Sequence, residues 1–220
     1  MTPTTLYRLS AAALVLSFVT SLLGGVLHPV IDGQSHSIEV FLAPRSPEAQ
    51  YLIYLGALFL MLGLPGAYLF FREELGRLGF VGFVGYMLGN ALSAMSHLVV
   101  EAFVAPTLAA DPDGHRLISD QGEIFDGSAF VTLQVAGGLI FVLSLLIIGV
   151  ALIRAQGIPT WIGVFLFVGT LPLLVPFPEL PGLTGVVVEL PRGLMVASLG
   201  VLMLRRTSAR RDDVRELVDA

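Results

Sequence analysis

The chain contains no cysteine and no lysine. The first absence excludes disulfides, thiolate metal sites and cysteine nucleophiles. The second excludes a retinal Schiff base and every other lysine-dependent covalent chemistry. Charge is scarce as well: 13% of the 220 residues are charged, about half the share usual in soluble domains, while 55% are hydrophobic and the mean hydropathy is +0.85. Water cannot be the main solvent of such a chain. No basic domain is present to hold nucleic acid, and the Walker, dinucleotide-glycine, H-E-x-x-H and G-x-S-x-G signatures are all missing.

What is present is a series of apolar blocks of roughly 20 residues, the length a bilayer crossing requires. The fold class expected is all-α, a polytopic membrane protein with a bundle of about six transmembrane helices, over residues 9–30, 51–71, 78–104, 130–153, 161–177 and 186–204. Together they form one domain, 1–206, followed by a charged tail, 207–220, in which Val214, Leu217 and Val218 would line one side of a short helix. The first block is long and lacks an A-x-A-like site, which favours an uncleaved helix over a signal peptide. Asp111-Pro112-Asp113-Gly114 marks a turn, and Trp161 suits an interfacial anchor. Pro172, Pro176, Pro178 and Pro181 make the fifth block irregular, since each removes a backbone donor.

Orientation is read from arginine, which supplies all 12 basic residues. With six crossings both termini share a face carrying Arg8, Arg72, Arg77, Arg154, Arg205, Arg206, Arg210, Arg211 and Arg215, against Arg45 and Arg116 opposite. That excess predicts cytoplasmic termini in the cell membrane. The two long loops, with Asp32, Glu39, Glu48, Asp111, Asp113, Asp120, Glu123 and Asp126, then face outward. A Gly…Arg…Gly…Gly rhythm recurs in two hairpins (Gly66, Arg72, Gly76, Gly79 and Gly149, Arg154, Gly157, Gly163) and raises the question of an inverted duplication.

Polar side chains within hydrocarbon need a partner, a cavity or an interfacial position. The residues concerned are His28, Asn90, His97, Glu101, Gln134, Glu189 and Arg192. His97 falls ~28 Å along its helix, so His28, His97, Glu101, Gln134 and Glu189 are expected at one depth near the outer interface. His97 and Glu101, four apart, share a helix face. Three readings of this group stay open: a metal held by His28, His97 and Glu101; solvated or ion-paired groups, with Arg192 neutralising Glu101 or Glu189; and an outward-facing pocket for a small polar or amphipathic ligand. Glu189 and Arg192, three apart, read as a local ion pair. His36 and His115 read as ordinary loop histidines. The stripe Gly82, Gly85, Gly89, Ser93 and Ser96 predicts close helix packing, within the bundle or in a homo-oligomer.

Gly76-Arg77-Leu78-Gly79 with Phe83, the segment Glu101-Ala102-Phe103-Val104-Ala105-Pro106, and the stretch from Arg154 to Trp161 together resemble a group of small, uncharacterised prokaryotic multi-pass membrane proteins. The resemblance covers about two thirds of the chain. It implies a membrane fold and, because that group has no assigned activity, no chemistry and no cofactor.

The sequence therefore reads as an integral membrane protein that binds a small-molecule ligand or a partner membrane protein in an outward-facing polar pocket and does not itself catalyse a reaction. The rival readings are a membrane-embedded enzyme acting on a lipid or isoprenoid with Glu101 or Glu189 as acid or base, a transporter component, and an accessory subunit.

Overall fold

A computed structural model describes residues 2–118, 127–175 and 178–219; the side chains of Ser128 and of 210–219 lie outside that description. Asp120, Glu123, Asp126 and Pro176, and the side chains of Arg210, Arg211, Val214, Arg215, Leu217 and Val218, are therefore outside the described residues. The described chain is helical, without a strand and with one isolated bridge, Ile31 to Gln34.

Helix α1 (Pro3–Leu27) starts on an N-cap, where Thr2 accepts from the Thr5 amide and Pro3 occupies a position whose N–H would have no partner. A short α2 (Ile38–Leu42) precedes α3 (Ser46–Gly89). Inside α3, Gly76 adopts φ +58°, a conformation open in practice to glycine alone, and the helix breaks there into two arms. The second arm runs on through π-helical turns Asn90–Met95 and Val100–Val104, with α4 (Ser96–Val99) between them, into α5 (Ala105–Ala109). Helix α6 (His115–Ile118), α7 (Ser128–Arg154), α8 (Thr160–Thr170) and α9 (Leu183–Asp219) complete the order.

Four helical stretches are long and apolar enough to cross a membrane: Pro3–Leu27, Ser46–Ala109, Ala129–Arg154 and Leu183–Ala209. The second spans 64 residues and is the one broken at Gly76, while Thr160–Leu174 is apolar but shorter. Two boundaries differ from the sequence reading. The third block is expected to stop near Val104, yet the helix passes from the π-helical turn Val100–Val104 through Pro106 and reaches Ala109. α9 continues as one helix through the charged tail to Asp219.

The side-chain distribution is compatible with a membrane-embedded helical protein. α1 turns Ser10, Ser17, Ser21, Gly24 and Gly25 inward and leaves Leu9, Leu16, Val19 and Leu23 exposed. Lipid tails are as apolar as leucine, so burying leucine gains little there, and close backbone packing holds helices together instead. A Cβ on Gly56 would stand 2.0 Å from Ser21 Oγ, and one on Gly185 would stand 2.0 Å from the Gly25 carbonyl oxygen. These contacts lock α1 onto the first arm of α3 and onto α9. The Gly82, Gly85 and Gly89 stripe packs on Ile148, Ser144 and Phe141 of α7, so it serves this chain's own bundle. α7 in turn packs on α8, and α8 on α9 around Pro191.

At one end, Arg206 ties three elements together. It bonds Glu74 at 2.7 Å and the Gly157 carbonyl, and lies over the Phe71 ring. Gly76 and Gly157 both have positive φ, so each repeat of the Gly…Arg…Gly rhythm holds a glycine where the backbone favours that residue. Next to this end the interior is filled by Leu14, Leu64, Phe71, Phe83, Ile148 and Leu152, all buried. The opposite end holds the site.

Candidate functional site

α1 ends at His28, whose amide still bonds the Gly24 carbonyl. Pro29 follows and stops the helix. The chain reverses at Asp32-Gly33, both with positive φ and flanked by the Ile31–Gln34 bridge, as a type I′ turn requires. That reversal returns Ser35 and His36 over the end of α1. Ser37 then caps α2 through the Val40 amide, and Phe41 packs with Ala105, Ala109 and Ile118 to form a lid of short helices.

Beneath this loop is a cavity of about 300 Å³ between α1, both arms of α3 and α9. Successive turns of the third-helix run line it with Tyr86, Asn90, Ala94, His97 and Glu101. The π-helical turns fall in this stretch. Such extra-residue turns shift helix register locally and recur at functional sites.

Three histidines converge on one carboxylate at the mouth. Glu101 is 3% exposed. Its Oε1 lies 3.0 Å from His36 Nε2 and 3.7 Å from His28 Nε2, and its Oε2 lies 3.4 Å from His97 Nε2. His36 Nε2 and His97 Nε2 are 2.9 Å apart. His28 Nδ1 lies 3.0 Å from the Pro29 carbonyl oxygen, which can only accept, so Nδ1 carries the proton and Nε2 faces the carboxylate. Despite its neighbours, Glu101 Oε1 accepts no well-aligned hydrogen bond. His36, in the loop, keeps 44% of its side chain exposed. The desolvation it does suffer disfavours its protonated form, but the Glu101 carboxylate beside it outweighs this and holds it above the ordinary histidine value.

Farther along the cavity Arg192 donates from Nε to Glu189 Oε2 at 2.9 Å and from Nη2 to Oε1, and lies 5.3 Å from the Phe141 ring centre. The pair cancels its own charge, and Arg192 does not reach Glu101 in any contact among the described residues. Asn90 is fully buried on the cavity wall, and neither its Nδ2 nor its Oδ1 has a partner among the described residues.

The structure thus brings His28, His97, Glu101, Glu189 and Arg192 to one cavity, and corrects the sequence reading twice. Gln134 does not line the cavity; it accepts from Ser93 Oγ at 3.1 Å and donates to Ser96 Oγ at 2.9 Å, clamping α7 to the third-helix run. A helix apolar on every side gives no signal of which way one glutamine faces. His36 is no ordinary loop histidine but the closest contact of Glu101. The signal that could have found it was Asp32-Gly33, a tight-turn dipeptide that folds the loop back over His28. His115 bonds the Ala109 carbonyl and stays apart from the cluster.

No family model, curated protein or solved structure matches the chain. The site is therefore read on its own chemistry.

Proposed function

We propose that the protein is a multi-pass membrane protein with six crossings and cytoplasmic termini, binding a small, uncharged amphipathic molecule in an outward-facing pocket. The six crossings are α1, the two arms of the third-helix run parted at Gly76, α7, the short α8 and α9. The arginine distribution supports the orientation, and Arg206 with its partners would then lie on the cytoplasmic side.

The observation that carries the ligand reading is Asn90. A buried amide left without hydrogen bonds is costly and uncommon in a folded protein, and here it faces a cavity. Its Oδ1 accepts and its Nδ2 donates, which suits an ester, amide or alcohol. Arg192 is already neutralised by Glu189, so the pocket does not call for an anionic head. Ile53, Leu60, Leu98, Val188 and Val196 provide an apolar wall for a chain. The volume sits at the lower bound of small-molecule pockets, about 300–1,000 Å³. Transport fits less well, because between the cavity and the arginine end the described residues form an apolar packed core.

The test is thermal unfolding in detergent with a panel of single-chain alcohols, esters and amides. At least one should raise the unfolding temperature of the wild type and leave Asn90→Leu unmoved. Equal shifts in both proteins would remove Asn90, and with it this reading.

A further inference from the structure

We infer that His36, His97 and Glu101 form a binding site for a divalent transition-metal ion of the zinc class at the mouth of the cavity. Ligand atoms of these three residues all lie within 4.8 Å of one another, and the individual separations are tighter. The distances are 2.9 Å between the two Nε2 atoms, 3.0 Å from His36 Nε2 to Glu101 Oε1, and 3.4 Å from His97 Nε2 to Glu101 Oε2. Zinc bonds of about 2.0–2.1 Å arranged tetrahedrally place neighbouring ligand atoms about 3.3 Å apart. The nitrogen–nitrogen edge and the two nitrogen–oxygen approaches, which reach different oxygens of the one carboxylate, lie near that spacing.

A second observation concerns the carboxylate itself. Glu101 is buried to 3% exposure and its Oε1 has no hydrogen-bond partner among the described residues, although His36 Nε2 stands 3.0 Å away. A carboxylate oxygen buried without a partner suits a cation held between it and the two imidazoles. Outer contacts support the same geometry: Ser35 Oγ lies 3.1 Å from His36 Nδ1, the kind of partner that fixes an imidazole with its other nitrogen toward a metal.

Two imidazoles with one carboxylate favour zinc, iron, cobalt or nickel over magnesium or calcium, which take oxygen ligands. Three protein ligands leave a further position open, as in metal sites that admit an exogenous ligand. All three residues line the cavity, so that position opens onto it. His28 remains 3.7 Å from Oε1 and is not part of the three-residue group. The inference uses the same cavity as the proposed function but neither Asn90 nor the organic ligand.

The test uses the full chain purified in detergent without a polyhistidine tag, stripped with a chelator and titrated with zinc alone. Bound metal is counted by elemental mass spectrometry, and affinity is read against a chromophoric chelator. Wild type should hold one zinc per chain. His36→Ala, His97→Ala and Glu101→Gln should each lose affinity by more than the roughly 10–100-fold expected from an outer-shell change. His36 lies in a loop, so His36→Ala tests the site even if the two helix variants fail to fold. Asn90→Leu should keep its zinc, which separates a failure of this site from a failure of the ligand reading. Wild type without stoichiometric zinc, or His36→Ala binding it as wild type does, would overturn the inference.

Discussion

His36 Nε2 and His97 Nε2 stand 2.9 Å apart although 61 positions separate them in the chain, and both face the Glu101 carboxylate. One of the pair lies on a loop turned back by Asp32-Gly33, the other on a helix face one turn from Glu101. The loop thus completes a group that the helix alone leaves half-built. Its position at the mouth of the cavity joins the polar cluster to the apolar pocket behind it.

The pH dependence of this cluster has a definite sign. In the metal-free protein Glu101 raises His36, so their attraction contributes stability below the ordinary histidine value of about 6.5 and is lost as the pH climbs through the raised value. Zinc acts in the opposite sense, because it binds deprotonated imidazole. The rise in unfolding temperature caused by zinc should therefore grow between about pH 5.5 and 8. A zinc effect independent of pH would contradict histidine ligation.

Helix packing gives a prediction independent of the site. In Gly185→Ala the new Cβ would meet the Gly25 carbonyl oxygen at 2.0 Å, and backbone cannot swing aside as a side chain can. Overpacking of this kind costs about 1–3 kcal/mol, and the upper part of that range is expected. Gly138→Ala, whose nearest neighbour is 3.8 Å away, should be neutral or gain about 0.5–1 kcal/mol from helix propensity. Thermal unfolding of the two variants side by side checks the contrast, and similar behaviour would mean that α1 and α9 do not cross so closely.

The absence of cysteine makes the orientation directly measurable. Asp32→Cys, in the loop over the cavity, should react with a membrane-impermeant thiol reagent in intact cells. Gln156→Cys, in the α7–α8 turn beside Gly157, should react only after permeabilisation. Both positions are exposed, so access to the reagent is set by the membrane alone. The reverse labelling pattern would invert the topology.

Some of this was legible in the sequence for physical reasons. The apolar blocks follow from bilayer thickness, and His97 with Glu101, like Glu189 with Arg192, follows from helix periodicity, which fixes neighbours three and four apart. The break at Gly76 was marked by charge and glycine but not as a single positive-φ residue. His36 escaped because its contact depends on a loop fold, and Gln134 was misassigned because depth along a helix does not give rotation about it. Asn90 is legible as a polar residue within an apolar block, but its lack of partners among the described residues is a property of packing that no sequence pattern carries.

Native mass spectrometry of wild type and Asn90→Leu shows whether the cavity holds an uncharged amphipathic ligand through Asn90. A small-molecule adduct is expected on the wild type and none on the variant. The variant should be as stable or more so, by up to about 1–3 kcal/mol, since an unpaired buried amide has been removed. An adduct retained by Asn90→Leu, or a wild type without adduct whose variant is less stable, would contradict ligand binding through Asn90 and reduce it to a structural residue.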